Sequence, residues 1–159
     1  MKGLQFKIDG DWAHFKKPET NNNPLSHDLI PKTALIGMIG AVLGIEREKM
    51  KSLFPQLSED LLYGVELLKP VKKASCGFTS HTAINPTAIK SPKAFEMLRD
   101  VSYKVCVGLN GERSQSIFDD FQNAILEGYA VYDPYLGIAN CPAELTFISH
   151  GEFITMRNG

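Results

Sequence analysis

Pro31-Lys32-Thr33-Ala34-Leu35-Ile36-Gly37-Met38-Ile39-Gly40-Ala41-Val42-Leu43-Gly44-Ile45 is the stretch on which the fold turns. Pro31 suits the first turn of a helix, where its missing N–H leaves no bond unmade. Residues 32–44 are apolar nearly all round (Ala34, Leu35, Ile36, Met38, Ile39, Ala41, Val42, Leu43), which predicts a buried helix rather than one with a single wet face. Glycine inside a helix costs about 1 kcal/mol relative to alanine. Gly37, Gly40 and Gly44 lie near one another on the helix surface, so the expectation is close approach of another backbone. A phosphate-cradling loop is the alternative. The spacing matches neither a P-loop nor a dinucleotide fingerprint, and no Gly-Lys-Ser/Thr follows. A short polar helix over roughly Glu46 to Leu53 comes next.

Outward from this helix the pattern is of strands. Leu4, Phe6 and Ile8 alternate with Gln5, Lys7 and Asp9, the period of a half-buried strand. Gly10-Asp11 offers a bend or bulge before Trp12, Ala13 and Phe15, and residues 18–31 read as loop. Residues 63–69 make a second strand. From Pro70 to about Arg99 no periodicity is visible, and loops beyond about fifteen residues in compact domains are often functional. Val101, Tyr103, Val105 and Val107 alternate with Ser102, Lys104 and Cys106 as a third strand. Ser116 with Asp119 resembles a capping box. Ile117, Phe118, Phe121, Ala124 and Ile125 form the stripe of an amphipathic helix, and Gly128 is a C-terminal stop. Tyr129–Tyr135 reads as extended or turn, and Ala143, Leu145 and Phe147 as a last strand. The order predicts an α+β, ferredoxin-like (RRM-type) βαββαβ core over residues 1–159, one domain, with a long insertion at about 69–100 between the second and third strands. That fold serves many functions and decides none.

Composition narrows the class. At 159 residues and 43% hydrophobic, the chain has the size and core of one domain. No apolar run reaches the eighteen or so residues of a membrane span, and Met1-Lys2-Gly3-Leu4-Gln5-Phe6 is no signal peptide, so a cytoplasmic location is expected and a membrane partner is not. Cys76, Cys106 and Cys141 are far apart with no C-x-x-C pair, which predicts free thiols, no metal site and no cofactor. Net charge is −1, but its distribution is uneven. Between Lys69 and Lys104 seven basic residues (Lys69, Lys72, Lys73, Lys90, Lys93, Arg99, Lys104) face two acids (Glu96, Asp100), a balance of +5. From Glu112 to Glu152 seven acids against Arg113 give −6. A basic face for phosphates and an acidic face elsewhere is one reading; two ordinary solvated faces is the other.

His14, His27, His81 and His150 are scattered, without H-x-x-x-H, Ser-His-Asp order or paired carboxylates. His81 or His14 with Tyr103 and a lysine supply the residue types for acid–base ribonuclease chemistry. Trp12, His14, Phe15, Lys16 and Lys17 form an aromatic-basic cluster of the kind that holds single-stranded RNA by stacking and phosphate contact. The bland reading puts the aromatics in the core. The Val101–Val107 strand lacks the RNP1 pattern, which argues against bases being read on the sheet.

Three segments together carry a resemblance: Gly10-Asp11-Trp12-Ala13-His14-Phe15-Lys16-Lys17-Pro18, the glycine helix Pro31–Ile45, and Tyr132-Asp133-Pro134-Tyr135-Leu136-Gly137-Ile138 leading to Cys141-Pro142-Ala143. In that order and spacing the chain resembles the CRISPR-associated "Cas five" family of the RAMP superfamily, a subunit of Cascade, closest to the type I-B form. The resemblance implies a non-catalytic RNA-binding subunit of a type I CRISPR surveillance complex in antiviral or mobile-element defence. Such a subunit holds the crRNA 5′ handle, caps the backbone filament, touches the backbone and large subunits, and meets target DNA only through the complex. It also implies a projecting thumb, and the basic insertion sits where that thumb belongs. Charge and position then nominate His14, Lys16, Lys17, Lys32, Lys69, Lys72, Lys73, Ser75, His81, Lys90, Lys93 and Lys104 as RNA contacts. Family members run longer, and this chain stops at Arg157-Asn158-Gly159, so it is read as a shortened form or a part. The type I-C branch cuts repeat RNA itself; its catalytic residues do not align here, and none is carried over. A metal-independent repeat-RNA endoribonuclease and a purely structural protein–protein subunit are the alternatives.

Overall fold

The computed structural model describes residues 1–81, 87 and 89–154. In chain order these form β1 (Lys2–Ala13), β2 (Phe15–Lys16), β3 (Ser26–His27), α1 (Lys32–Leu43), α2 (Arg47–Asp60), β4 (Leu61–Leu67), β5 (Lys72–His81), β6 (Lys90–Leu109), a 3-10 turn (Glu112–Ser114), α3 (Gln115–Glu127) and β7 (Glu144–Glu152). The main sheet is antiparallel in the order β4-β6-β1-β7, with β5 added along β6. β1 and β4 flank β6, and β6 and β7 flank β1, so β1-α1-β4 and β6-α3-β7 are two interlocked split βαβ units. This is the ferredoxin-like arrangement expected from the element order.

Alternation in β1 and β6 sets the two faces. Leu4, Phe6 and Ile8 are buried together with Tyr103, Val105 and Val107, under Leu35, Ile36, Ile39 and Val42 of α1 and Phe118, Phe121 and Ile125 of α3. Phe6 meets Phe121 edge to face at 5.6 Å between ring centres. On the opposite face β1 and β6 present Gln5, Lys7, Asp9, Ser102, Lys104 and Cys106. Ser102 Oγ donates to Asp9 at 2.6 Å, and Lys7 Nζ lies 2.7 Å from the same carboxylate. None of these outward positions is aromatic, in keeping with the missing RNP1 pattern.

Several local expectations are corrected. β1 continues through Gly10-Asp11 to Ala13 as one strand, paired to β6 on both sides, with the ladder skipping Asp11 and Asp100. α2 extends past Leu53 and through Pro55 to Asp60, because Leu57 is fully buried in the core and draws the last turns with it. What a Cβ at Gly40 or Gly44 would meet first is side chain, not backbone. A Cβ at Gly40 would face the Met50 side chain at 2.9 Å, one at Gly44 would face Val131 at 2.6 Å, and one at Gly37 would meet nothing within 4 Å. Gly44 is the left-handed C-cap, with φ at 68°. The expected capping box is not formed: α3 begins at Gln115, and Ser114 Oγ donates instead to buried Asp60 at 2.8 Å.

The largest correction concerns the insertion. Where the sequence shows no period from Pro70 to Arg99, β5 and the first half of β6 form a β-hairpin, in register from Lys72 opposite Arg99 to His81 opposite Lys90. β1 stops pairing at Ala13 opposite Leu98, so the outer part of the hairpin leaves the main sheet. Asp100 sits at the junction with φ at 50°, a conformation that non-glycine residues seldom adopt. Thr82, Asn85 and Pro86 of this segment, and Arg157-Asn158-Gly159, lie outside the described residues.

Candidate nucleic-acid interface

The hairpin is built from unequal faces. Phe78 packs edge-on against Phe95 at 5.0 Å, and Phe95 against His14 at 5.0 Å, a short aromatic spine that stiffens the two strands. Around it Lys72, Lys73, Ser75, His81 and Lys90 are on the hairpin's strands and exposed, and Lys93 is half-buried. The segment from His14 to Ile30 braces the hairpin's base. Glu96 N–H donates to Pro24 O at 2.9 Å, and Ser26 N–H to the Glu96 carboxylate at 3.2 Å.

The nominated lysines divide by partner. Lys69 Nζ donates to Asp100 at 2.6 Å, and Lys72 Nζ lies 3.6 Å from the other oxygen of that carboxylate. The Asp100 hydrogen bond raises the pKa of Lys69, and that of Asp100 is lowered in return. Lys73 Nζ bridges Asp28 at 2.9 Å and Glu96 at 3.2 Å; Asp28 first and Glu96 second raise its pKa. Lys104 faces Glu66 at 3.5 Å. Among the described residues Lys16, Lys17, Lys90 and Lys93 make no ion pair. Part of the positive charge of the Lys69–Lys104 stretch is thus offset by Asp28 and Glu66, which lie outside it in sequence. Exposed ion pairs of this kind are weak and easily exchanged, so a phosphate can replace a carboxylate partner.

Beside the hairpin, a groove of about 430 Å³ is lined by Lys17, His27, Asp28, Pro31, Tyr63 and Lys73. Tyr63 is 39% exposed on β4, and His27 stands on the small β2–β3 ribbon opposite Phe15. Cations flanking an exposed aromatic ring suit a nucleotide, the ring stacking a base and the lysines meeting phosphate. Sequence reasoning nominated Lys17 and Lys73 but not His27 or Tyr63. No linear signal joins residues from separate elements.

Other nominated residues are placed elsewhere. His14 is 1% exposed, with Nδ1 2.8 Å from Glu96 O, so it is a core histidine and not a surface contact. Lys32 Nζ donates to Ser58 O and ties α1 to the end of α2. Tyr103 is fully buried, its hydroxyl donating to Asp28 O at 2.9 Å, and burial raises its pKa. His81 is opposite Lys90 on β6, thirteen residues from Tyr103, hence roughly 40 Å along the strand. His81 and Tyr103 are therefore not brought together, and His14 and Tyr103 are both buried. Cys76, Cys106 and Cys141 are free, and burial pushes the Cys141 thiol up to about 11. No group of His, Cys, Asp and Glu able to hold a metal is found among the described residues, and none of their helices is long and apolar enough to cross a membrane.

No curated protein matches this sequence. Solved structures do match the fold. A chain of a "CRISPR RNA-guided surveillance complex" is similar at a TM-score of 0.63 and 17% identity, over 87% of this chain and 58% of that one. A chain of the "Type III-B Cmr-beta" complex bound to cognate target RNA is similar at 0.59 and 11% identity, over 99% and 66%. One of a "Type IV-B CRISPR Complex" is similar at 0.53 and 11% identity, over 100% and 95%. The present chain thus spans little more than half the length of the first of these. The sequence of residues 3–153 matches the family model described as "CRISPR-associated protein (Cas_Cas5)". With a family match over nearly the whole chain, on the fold its element order predicts, the protein belongs to the CRISPR-associated Cas5 family.

Proposed function

We propose that this chain is a non-catalytic subunit of a Cascade-type CRISPR complex, holding the 5′ handle of the crRNA and capping the backbone filament. In this reading it contacts the backbone and large subunits and meets target DNA only through the assembly. The observation that carries the reading is the cationic β5–β6 hairpin beside the Lys17–Tyr63–Lys73 groove, a phosphate track next to a stacking ring. The hairpin takes the place of the family's thumb. Family membership supports the assembly.

The test begins with the tagged chain purified from cells at mild salt and sequencing of the RNA that accompanies it. Short RNAs sharing one repeat-derived 5′ segment are expected; mixed cellular RNA or none overturns the reading. Lys90→Gln with Lys93→Gln removes two cations that hold no ion pair among the described residues, so the fold is left intact. Each phosphate that the protein no longer neutralises on single-stranded RNA lowers the log–log salt slope by about 0.7, so the double variant is expected to lower it by about 1.4. Tyr63→Ala is expected to weaken binding by about 1–3 kcal/mol with the slope unchanged. Repeat hairpin RNA incubated with the protein in EDTA is expected to stay whole, and a single discrete cut would transfer the reading to a metal-independent endoribonuclease.

A further inference from the structure

A second surface has different chemistry. Leu126, Tyr129, Val131, Tyr132 and Tyr135 are 52%, 61%, 47%, 55% and 47% exposed, a run of large apolar side chains at and beyond the end of α3. Their backbone is not loose. Tyr129 N–H donates to Ala124 O at 2.9 Å, Val131 N–H to Val42 O at 2.9 Å and Tyr132 N–H to Ala41 O at 3.0 Å, so the loop is pinned to α3 and α1. Rings held this way lose little freedom on binding. Beneath Tyr135 is a pocket of about 230 Å³ bounded by Thr33, Ala34, Gly37, Ala41 and Gly137. Gly37 lines it from mid-helix. A Cβ there would meet nothing within 4 Å, so no contact inside the chain calls for glycine at that position.

Charge selects the occupant. From Ser114 to Ser149 there is no lysine, arginine or histidine, while Asp119, Asp120, Glu127, Asp133 and Glu144 lie in that stretch. Asp133 and Glu127 are exposed within the tyrosine cluster. Phosphates are repelled by such a surface, whereas a guanidinium or ammonium gains both a carboxylate and an aromatic face. Tyrosine is also the residue type that anchors protein interfaces.

We infer that this face seats a cationic segment of another protein subunit, one apolar side chain entering the pocket over Gly37 while flanking arginine or lysine meets Asp133 and the tyrosine rings. The inference rests on the assembly reading above and assigns protein contact to a face separate from the RNA track. Its test places a photoreactive benzoylphenylalanine at Tyr135 of the tagged chain in cells, crosslinks the assembled complex and identifies the joined peptide. A lysine- or arginine-bearing peptide of another CRISPR-associated subunit is expected. A crosslink to RNA, or only within the chain, overturns the inference. Gly37→Leu fills the pocket with a good helix former and is expected to cut recovery of the crosslinked subunit about tenfold, with melting temperature not lowered and bound RNA unchanged. Asp133→Lys is expected to act in the same direction. Undiminished recovery in both variants overturns the inference while leaving RNA binding in place; a wild-type chain that carries neither RNA nor subunit overturns the assembly reading first, and this inference with it.

Discussion

Gly37→Ala is expected to stabilise the isolated protein. The residue is inside α1, its φ is that of an ordinary helix, and a Cβ there meets nothing within 4 Å. The substitution therefore removes the entropic penalty of a helical glycine and adds no clash, a gain of about 1 kcal/mol. For a domain of this size that raises the melting temperature by about 2–4 °C. Two neighbours calibrate the effect. Gly40→Ala puts its Cβ 2.9 Å from the Cγ and Sδ of Met50, a flexible side chain that can move, so its gain is expected to be smaller than that of Gly37→Ala. Gly44→Ala meets Val131 at 2.6 Å and must hold φ at 68°, and is expected to lose about 1–2 kcal/mol or more. Thermal melts followed by circular dichroism, with urea midpoints at constant slope, measure all three. If Gly37→Ala lowers stability, the position is not open in the folded chain and the pocket beneath Tyr135 is misplaced.

Two further outcomes follow from the core and its polar edge. Phe6→Ala and Phe121→Ala each remove a buried ring and are expected to cost about 3–5 kcal/mol by urea denaturation; the double variant should cost less than their sum, by about 0.5–1.5 kcal/mol for the edge-to-face pair. Arg113 Nη2 donates to Asp60 at 2.6 Å and Ser114 Oγ at 2.8 Å, and these bonds, Arg113 first, lower the Asp60 pKa from its ordinary 3.8. A lowered carboxylate pKa adds stability above the unfolded value and loses it as pH falls through the folded one. The melting temperatures of wild type and Arg113→Gln should thus differ near neutrality and converge below about pH 4; a gap that persists at lower pH would count against Asp60 as its source.

How much was legible beforehand depended on the range of the interaction. The alternation of Leu4, Phe6 and Ile8, that of Tyr103, Val105 and Val107, and the Phe118–Phe121–Ile125 stripe all mark residues that are in fact buried. Each is a periodicity of a few residues against one core, and such a signal survives in the linear chain. The hairpin was not legible because its strands are largely solvated. Lys72–His81 is mostly exposed on both faces, so no apolar period arises, and the strand exists because Lys90–Arg99 of β6 offer it a continuous partner. The helix expected to end near Leu53 runs on to Asp60, where Leu57 is buried in the core.

The candidate site divides along the same line. By itself the sequence determined the class of the protein: the α+β element order, one core, free cysteines and a basic stretch followed by an acidic one. These depend on composition and short-range pattern. Tertiary structure alone decided which cations are available. It turned His14 inward, gave Lys32 to a helix end, paired Lys73 with Asp28 from forty-five residues away, and brought Lys17, His27 and Tyr63 to one groove. A charge or a ring acquires a role only from what faces it in space, and that depends on strand register and helix packing, which no local window of residues contains.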